Sequence, residues 1–159
     1  MADILSQHKI GSTVVLKRVS ADVAVTAGGA GNNVVVTGLV IDRMAFASGM
    51  PNTGILGLDY TATLGATNTV SFAHNTYTSP DKVTWTLFYA GPAAVASTGP
   101  TGGGTVTSTV SVPLDLTMAL RYVRIDFTPT MSAANTDTAN VIAIGAFGGF
   151  SVLPAPRAA

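Results

Sequence analysis

The chain has 159 residues, no cysteine, and eight basic residues against eight acidic ones, every acidic residue being aspartate. The missing cysteine excludes disulfides, thiolate metal sites and thiol catalysis, and the even charge balance argues against the clustered Lys and Arg of a nucleic-acid groove. Hydrophobic residues make up 47% and charged ones only 10%, yet no segment approaches the roughly 20 apolar residues of a membrane-spanning helix. The length suits one domain, which buries roughly 70% of its unfolded surface. A surface so poor in charge is expected to lie largely against copies of itself or against a partner.

In chain order, "MADILSQHKIGS" lacks a basic start followed by an apolar run and cleavage site, so no signal peptide is predicted. Met1 to Gly11 has little pattern and reads as an arm, with Ile4, Leu5 and His8 as candidate contact residues. Short β-branched runs follow, separated by Gly, Pro, Asn, Asp and Ser. They are "STVVLKR" (12–18), "DVAVTA" (22–27), "NVVVTGLVIDR" (33–43), "LGLDYTATL" (56–64) and "TVSFAH" (69–74). Then come "VTWTLFYA" (83–90), "TVTSTVSV" (105–112), "RYVRIDFT" (121–128) and "NVIAIGAFGG" (140–149). Nine strands at this spacing predict an all-β fold, an antiparallel β-sandwich or jelly roll with extended terminal arms. Only "PLDLTMALRY" has room for a helical turn, with Asp115 or Thr117 as possible caps. The expected organisation is an arm over 1–11, a sandwich over 12–152 and a Pro- and Ala-rich tail over 153–159.

The glycine-rich stretch "VAVTAGGAGNNVVVTG" (23–38) raises the possibility of a phosphate loop. Such a loop must lead into a helix whose N-terminus holds the anion. Here Asn33 leads into three valines, and no Lys-Ser or Lys-Thr pair closes the loop. A β-hairpin turn is expected instead, with Gly and Asn supplying positive φ. The cluster "STGPTGGGTVTS" (97–108) reads the same way.

Candidate chemistry is sparse. His8 and His74 are the only histidines, and neither has further ligands at zinc spacing. No G-x-S-x-G elbow occurs, so a nucleophilic triad has no support. Asp59, Asp81, Asp115 and Asp126 read as turn formers or ion-pair partners, with Asp81 following Pro80. "TDTAN" (136–140) offers oxygen ligands for calcium without the acidic density of an EF-hand. The expectation is no enzyme, no metal and no cofactor.

"LRYVRIDFTP" (120–129) is the most informative segment. Alternation sends Val123, Ile125 and Phe127 into the core and sets Tyr122, Arg124 and Asp126 together on the opposite face. That row is either a packing stripe with an ion pair or a contact surface, since Tyr and Arg are favoured at interfaces. In "VTWTLFYA", alternation groups Val83, Trp85, Leu87 and Tyr89 against Thr84, Thr86 and Phe88, which predicts that Trp85 lies in the core.

The order "VIDR", "SPDKVTWTL", "ALRYVRIDFTPTMSAANTDTA" and "LPAP" resembles small β-rich virion proteins of tailed bacteriophages that decorate or cement the capsid. The resemblance runs from about Val19 onward through short motifs, and departs where "PDKVT" replaces the usual "DG" turn before the Trp. It implies a protein assembled in the host cytoplasm onto the capsid exterior. There it would join major capsid protein subunits, often as a homo-oligomer, with no nucleic-acid or membrane partner. A second, single-strand likeness exists. "RYVRI" resembles discoidin-type galactose-binding jelly rolls, which implies a glycan-binding module on a phage fibre or tail. Those domains often carry a cysteine pair, absent here.

Overall fold

The computed structural model describes residues 14–133 and 136–151. The expected arms over 1–11 and 153–159, with Ile4, Leu5 and His8, lie outside the described residues.

Two antiparallel sheets face each other. The first has the order β1 (Val15–Arg18), β9 (Thr138–Ser151), β4 (Met50–Leu64), β7 (Gly104–Asp115), with β2 (Val23–Thr26) also paired to β9. The second has the order β3 (Ile41–Asp42), β8 (Tyr122–Met131), β5 (Thr69–Ser79), β6 (Thr86–Thr98). Only β5 and β6 are consecutive strands that pair with each other; β1 and β2 follow one another along the same edge of β9, and every other connection between consecutive strands crosses from sheet to sheet. This alternation of sheets is the jelly-roll topology, which the β-branched runs and short loops of the sequence had led us to expect.

The core follows the period of two. Leu56, Leu58, Tyr60, Ala62 and Leu64 of β4 meet Val123, Ile125 and Phe127 of β8 and Val70 and Phe72 of β5, all buried. Tyr60 and Phe72 pack with tilted rings 5.1 Å apart, and Phe46 and Phe147 do so at 5.5 Å. Arg43 is wholly buried without a carboxylate partner among the described residues; its guanidinium donates to the carbonyls of Pro51, Ala119 and Leu120. Those bonds tie the start of β4 to the loop before β8, and burial lowers the Arg43 pKa.

Several local expectations need correction. Residues 27–33 do turn, with Gly28, Gly31 and Asn33 at φ of 68°, 77° and 58°, but they do not close a hairpin. A Cβ on Gly31 would lie 2.6 Å from the Ala24 carbonyl oxygen, so the chain folds tightly over β2 and then leaves for the other sheet. There the Asn33 amide donates to Pro129 at 2.9 Å, and Val36 and Phe127 exchange bonds of 2.8 and 3.1 Å. The expected strand over 33–43 is therefore an interrupted edge along β8, regular only at Ile41–Asp42. The second glycine cluster also crosses between sheets, joining β6 to β7.

The segment 113–122 forms no helix. Asp115 instead accepts from the Thr117 amide at 2.9 Å in an Asx turn. The short helical turn occurs at Arg43–Ala45, where Asp42 caps it by accepting from Met44 at 3.0 Å. Trp85 is not in the core. It precedes β6 and lies against the Arg124 guanidinium, and a register shift between the pairs Thr76↔Tyr89 and Tyr77↔Leu87 interrupts the alternation that follows: Phe88 packs against the core while Leu87 and Tyr89 are half-exposed.

Candidate contact surfaces

The outer face of the second sheet carries the row Tyr122, Arg124 and Asp126, which the structure does bring together. Tyr122 and Asp126 are only 8% and 5% exposed, so the row is covered by the chain's own residues. Asp126 accepts twice from Arg124, at 2.9 and 3.0 Å, and once from the Gly38 amide at 2.9 Å. Gly38 is needed there because a Cβ would meet the Ile125 carbonyl oxygen at 2.1 Å; the carboxylate satisfies the amide that this close approach removes from the ladder. The Arg124 guanidinium lies over Tyr77 at 5.1 Å and Trp85 at 4.8 Å. The Tyr122 ring is flanked by Lys82 and Arg121, each at 4.8 Å.

At the margin Arg121 forks onto Asp42 at 3.0 and 2.8 Å. The bond from Arg121 holds the Asp42 carboxyl below its ordinary pKa, and Asp42 in turn raises Arg121. Charge on this face is thus matched internally.

Sequence alternation did not reveal Tyr77, Trp85, Lys82 or Arg121 as members of this cluster. Tyr77 arrives because β5 places it opposite Arg124. Trp85 arrives because Asp81 folds the loop back, accepting from the amides of Val83 and Thr84 at 2.9 and 2.8 Å. The "SPD" turn signal was legible; its destination was not.

The outer face of the first sheet differs. Register sets Leu16, Ala146, Ile55 and Pro113 in one row and Arg18, Ile144, Gly57 and Ser111 in the next, with Arg18 paired to Asp22 at 3.1 Å. Leu16 and Ile55 are 69% and 51% exposed. Together with Ile144 they line a shallow depression of about 360 Å³. Toward the far end the face turns to hydroxyls, with Thr61 paired to Thr107 and Thr63 to Thr105 at 3.1 and 3.2 Å. Asp59 is engaged by the Thr109 hydroxyl at 2.9 Å.

The remaining candidates stay apart. His74 is buried within β5, against the Tyr89 ring at 5.7 Å, and burial lowers its pKa. Asp137 is buried and accepts from the Gly65 amide at 2.9 Å, tying two loops together. No group of three metal-ligating side chains occurs among the described residues.

No protein-family model and no curated protein sequence matches the chain. Among solved structures, the chain is similar to an infectious bursal disease virus Gx strain structure, with TM-score 0.48 and 10% identity over 89% of this chain and 33% of that one. It is also similar to the T=1 particle structure derived from the same virus, with TM-score 0.41 and 11% identity over 84% of this chain and 30% of that one. The third is Eiger TNF from S. frugiperda, with TM-score 0.38 and 11% identity over 92% of this chain and 99% of that one. The chain therefore spans about a third of the length of the bursal disease virus chains.

Proposed function

We propose that this chain is a non-catalytic virion protein on the exterior of a tailed-phage capsid, where it bridges neighbouring major-capsid subunits and self-associates. It needs no metal or cofactor for that role. The observation that carries the reading is the exposed apolar patch of Leu16, Ile55 and Ile144 on the outer face of the first sheet, where the neighbouring charges are Asp59 and the Arg18–Asp22 ion pair. Such a patch marks an interaction site, and few charges there need desolvation when it is covered. The order of sequence motifs, which resembles phage decoration proteins, supplies the kind of partner. The test mixes purified protein with undecorated particles and counts bound copies and heat-induced DNA release. Saturable binding with delayed release is expected; no binding to any capsid overturns the reading.

A glycan-binding reading has one observation in its favour. A cleft of about 350 Å³ between β6 and the end of β7 is lined by Phe88, Tyr89, Leu116 and the Asp115 carboxylate. Retention on a glycan surface that is lost in Tyr89→Ala, without capsid binding, would favour it.

A further inference from the structure

We infer that β7 pairs edge to edge with β7 of a second copy, antiparallel about a two-fold axis near Thr109, so that two first sheets become one continuous sheet. The inference rests on the self-association proposed above and names its surface.

The four sheet edges of the described residues are unequal. The β1 and β2 edge is broken between Arg18 and Val23 and carries Lys17, Arg18 and Asp22. The β3 edge is regular for two residues. The β6 edge has three register shifts against β5, and Pro92 removes an amide donor. β7 alone keeps an unbroken register, from Thr53↔Asp115 to Leu64↔Gly104, with β4 as its sole strand neighbour. Bulges, lysines, prolines and short length are the devices that keep an edge from pairing with another chain. From Thr105 to Val112, "TVTSTVSV", β7 has none of them, and its one proline, Pro113, stands at the end of that run, where it removes a single donor from the seam.

The side chains are suited to a copy of the same strand. Val106, Val110 and Val112 point inward but are only partly buried, because among the described residues no strand lies beyond β7. Antiparallel pairing centred on Thr109 sets Val106 opposite Val112 and Ser108 opposite Val110, which extends the apolar inner layer across the seam. On the outer side Thr107 meets Ser111, with no like charges opposed. The free amides and carbonyls of one β7 then supply the partners of the other.

The test is sedimentation of the full chain over a concentration series, with thermal melting as a check of folding. The wild type is expected to associate. Thr107→Lys with Ser111→Lys places like charges opposite one another twice across the seam and should raise the dissociation constant at least about tenfold, with melting unchanged at dilutions where the wild type is itself monomeric. Thr107→Lys with Ser111→Asp places opposite charges there and should restore association. A wild type that stays monomeric overturns self-association itself. An oligomer indifferent to the double lysine variant overturns the β7 seam while leaving self-association standing. Dissociation of both double variants overturns the register centred on Thr109. An oligomer lost only on deleting residues 1–13 assigns the contact to that segment instead of to β7.

Discussion

The two outer faces of this sandwich differ in what they leave exposed: one covers its charges with its own aromatic rings, the other presents bare aliphatic side chains. On the second sheet, Arg124, Asp126, Arg121, Asp42 and Lys82 are matched to one another or to aromatic rings. On the first sheet, an apolar row grades into hydroxyls, Asp59 is engaged by Thr109, and the Arg18–Asp22 pair lies toward the β1 and β2 edge. A face whose polar groups are already satisfied gains little from a partner, whereas exposed Leu16 and Ile55 lose unfavourable hydration when covered. The matched face is a structural staple, and the bare face is the one the proposed assembly would use.

That contrast yields four expectations in falling order of effect on stability. Asp126→Ala removes the carboxylate shared by Arg124 and the Gly38 amide. It leaves a half-buried guanidinium and a buried N–H unpaired, and should cost about 3 kcal/mol in denaturant unfolding. Arg124→Ala keeps the bond from Gly38 and loses the two ring contacts and the ion pair. About 1–2 kcal/mol is expected, with Arg124→Lys recovering only part because a lysine cannot fork onto Asp126. A loss near zero would mean that the stripe is not a staple.

The third expectation concerns the inner side of the stapled sheet. The folded protein disfavours the charged form of buried His74, so its pKa lies below the unfolded value near 6.5. Within the window below pH 6.5 the unfolded chain binds more protons, and stability falls as pH falls. His74→Gln should flatten the melting temperature there. The carboxylates lowered by hydrogen bonds, Asp42, Asp81 and Asp115, lose their contribution only as pH falls below their ordinary 3.8, which keeps the two effects apart. The smallest stability effect belongs to the bare face: Ile55→Lys should change unfolding by no more than about 0.5 kcal/mol, as at an ordinary surface site.

Local alternation made much of this legible in the sequence. Val123, Ile125 and Phe127 were readable as core, and Tyr122, Arg124 and Asp126 as one row, because a strand alternates wherever it pairs. The glycine turn at 27–33 was readable from its residue types. Its destination was not, because the bond from Asn33 to Pro129 joins residues far apart in the chain. Trp85 was misplaced because the turn at Asp81 holds it ahead of β6, against Arg124, and a register shift against β5 interrupts the alternation between Leu87 and Tyr89. The cover over Arg124 was hidden for the same reason, since Tyr77 and Trp85 reach it through pairing and a folded loop. The bare face was visible only as an overall scarcity of charge until register placed Leu16, Ile55 and Ile144 side by side.

The most direct measurement counts copies bound per undecorated capsid for the wild type, Ile55→Lys and Arg124→Ala, each first shown to be folded at the assay temperature. The expected result is saturable binding by the wild type and Arg124→Ala and a loss of binding by Ile55→Lys. Binding retained by Ile55→Lys and lost by folded Arg124→Ala would place the contact on the stapled face and contradict the assignment of the bare face to the capsid.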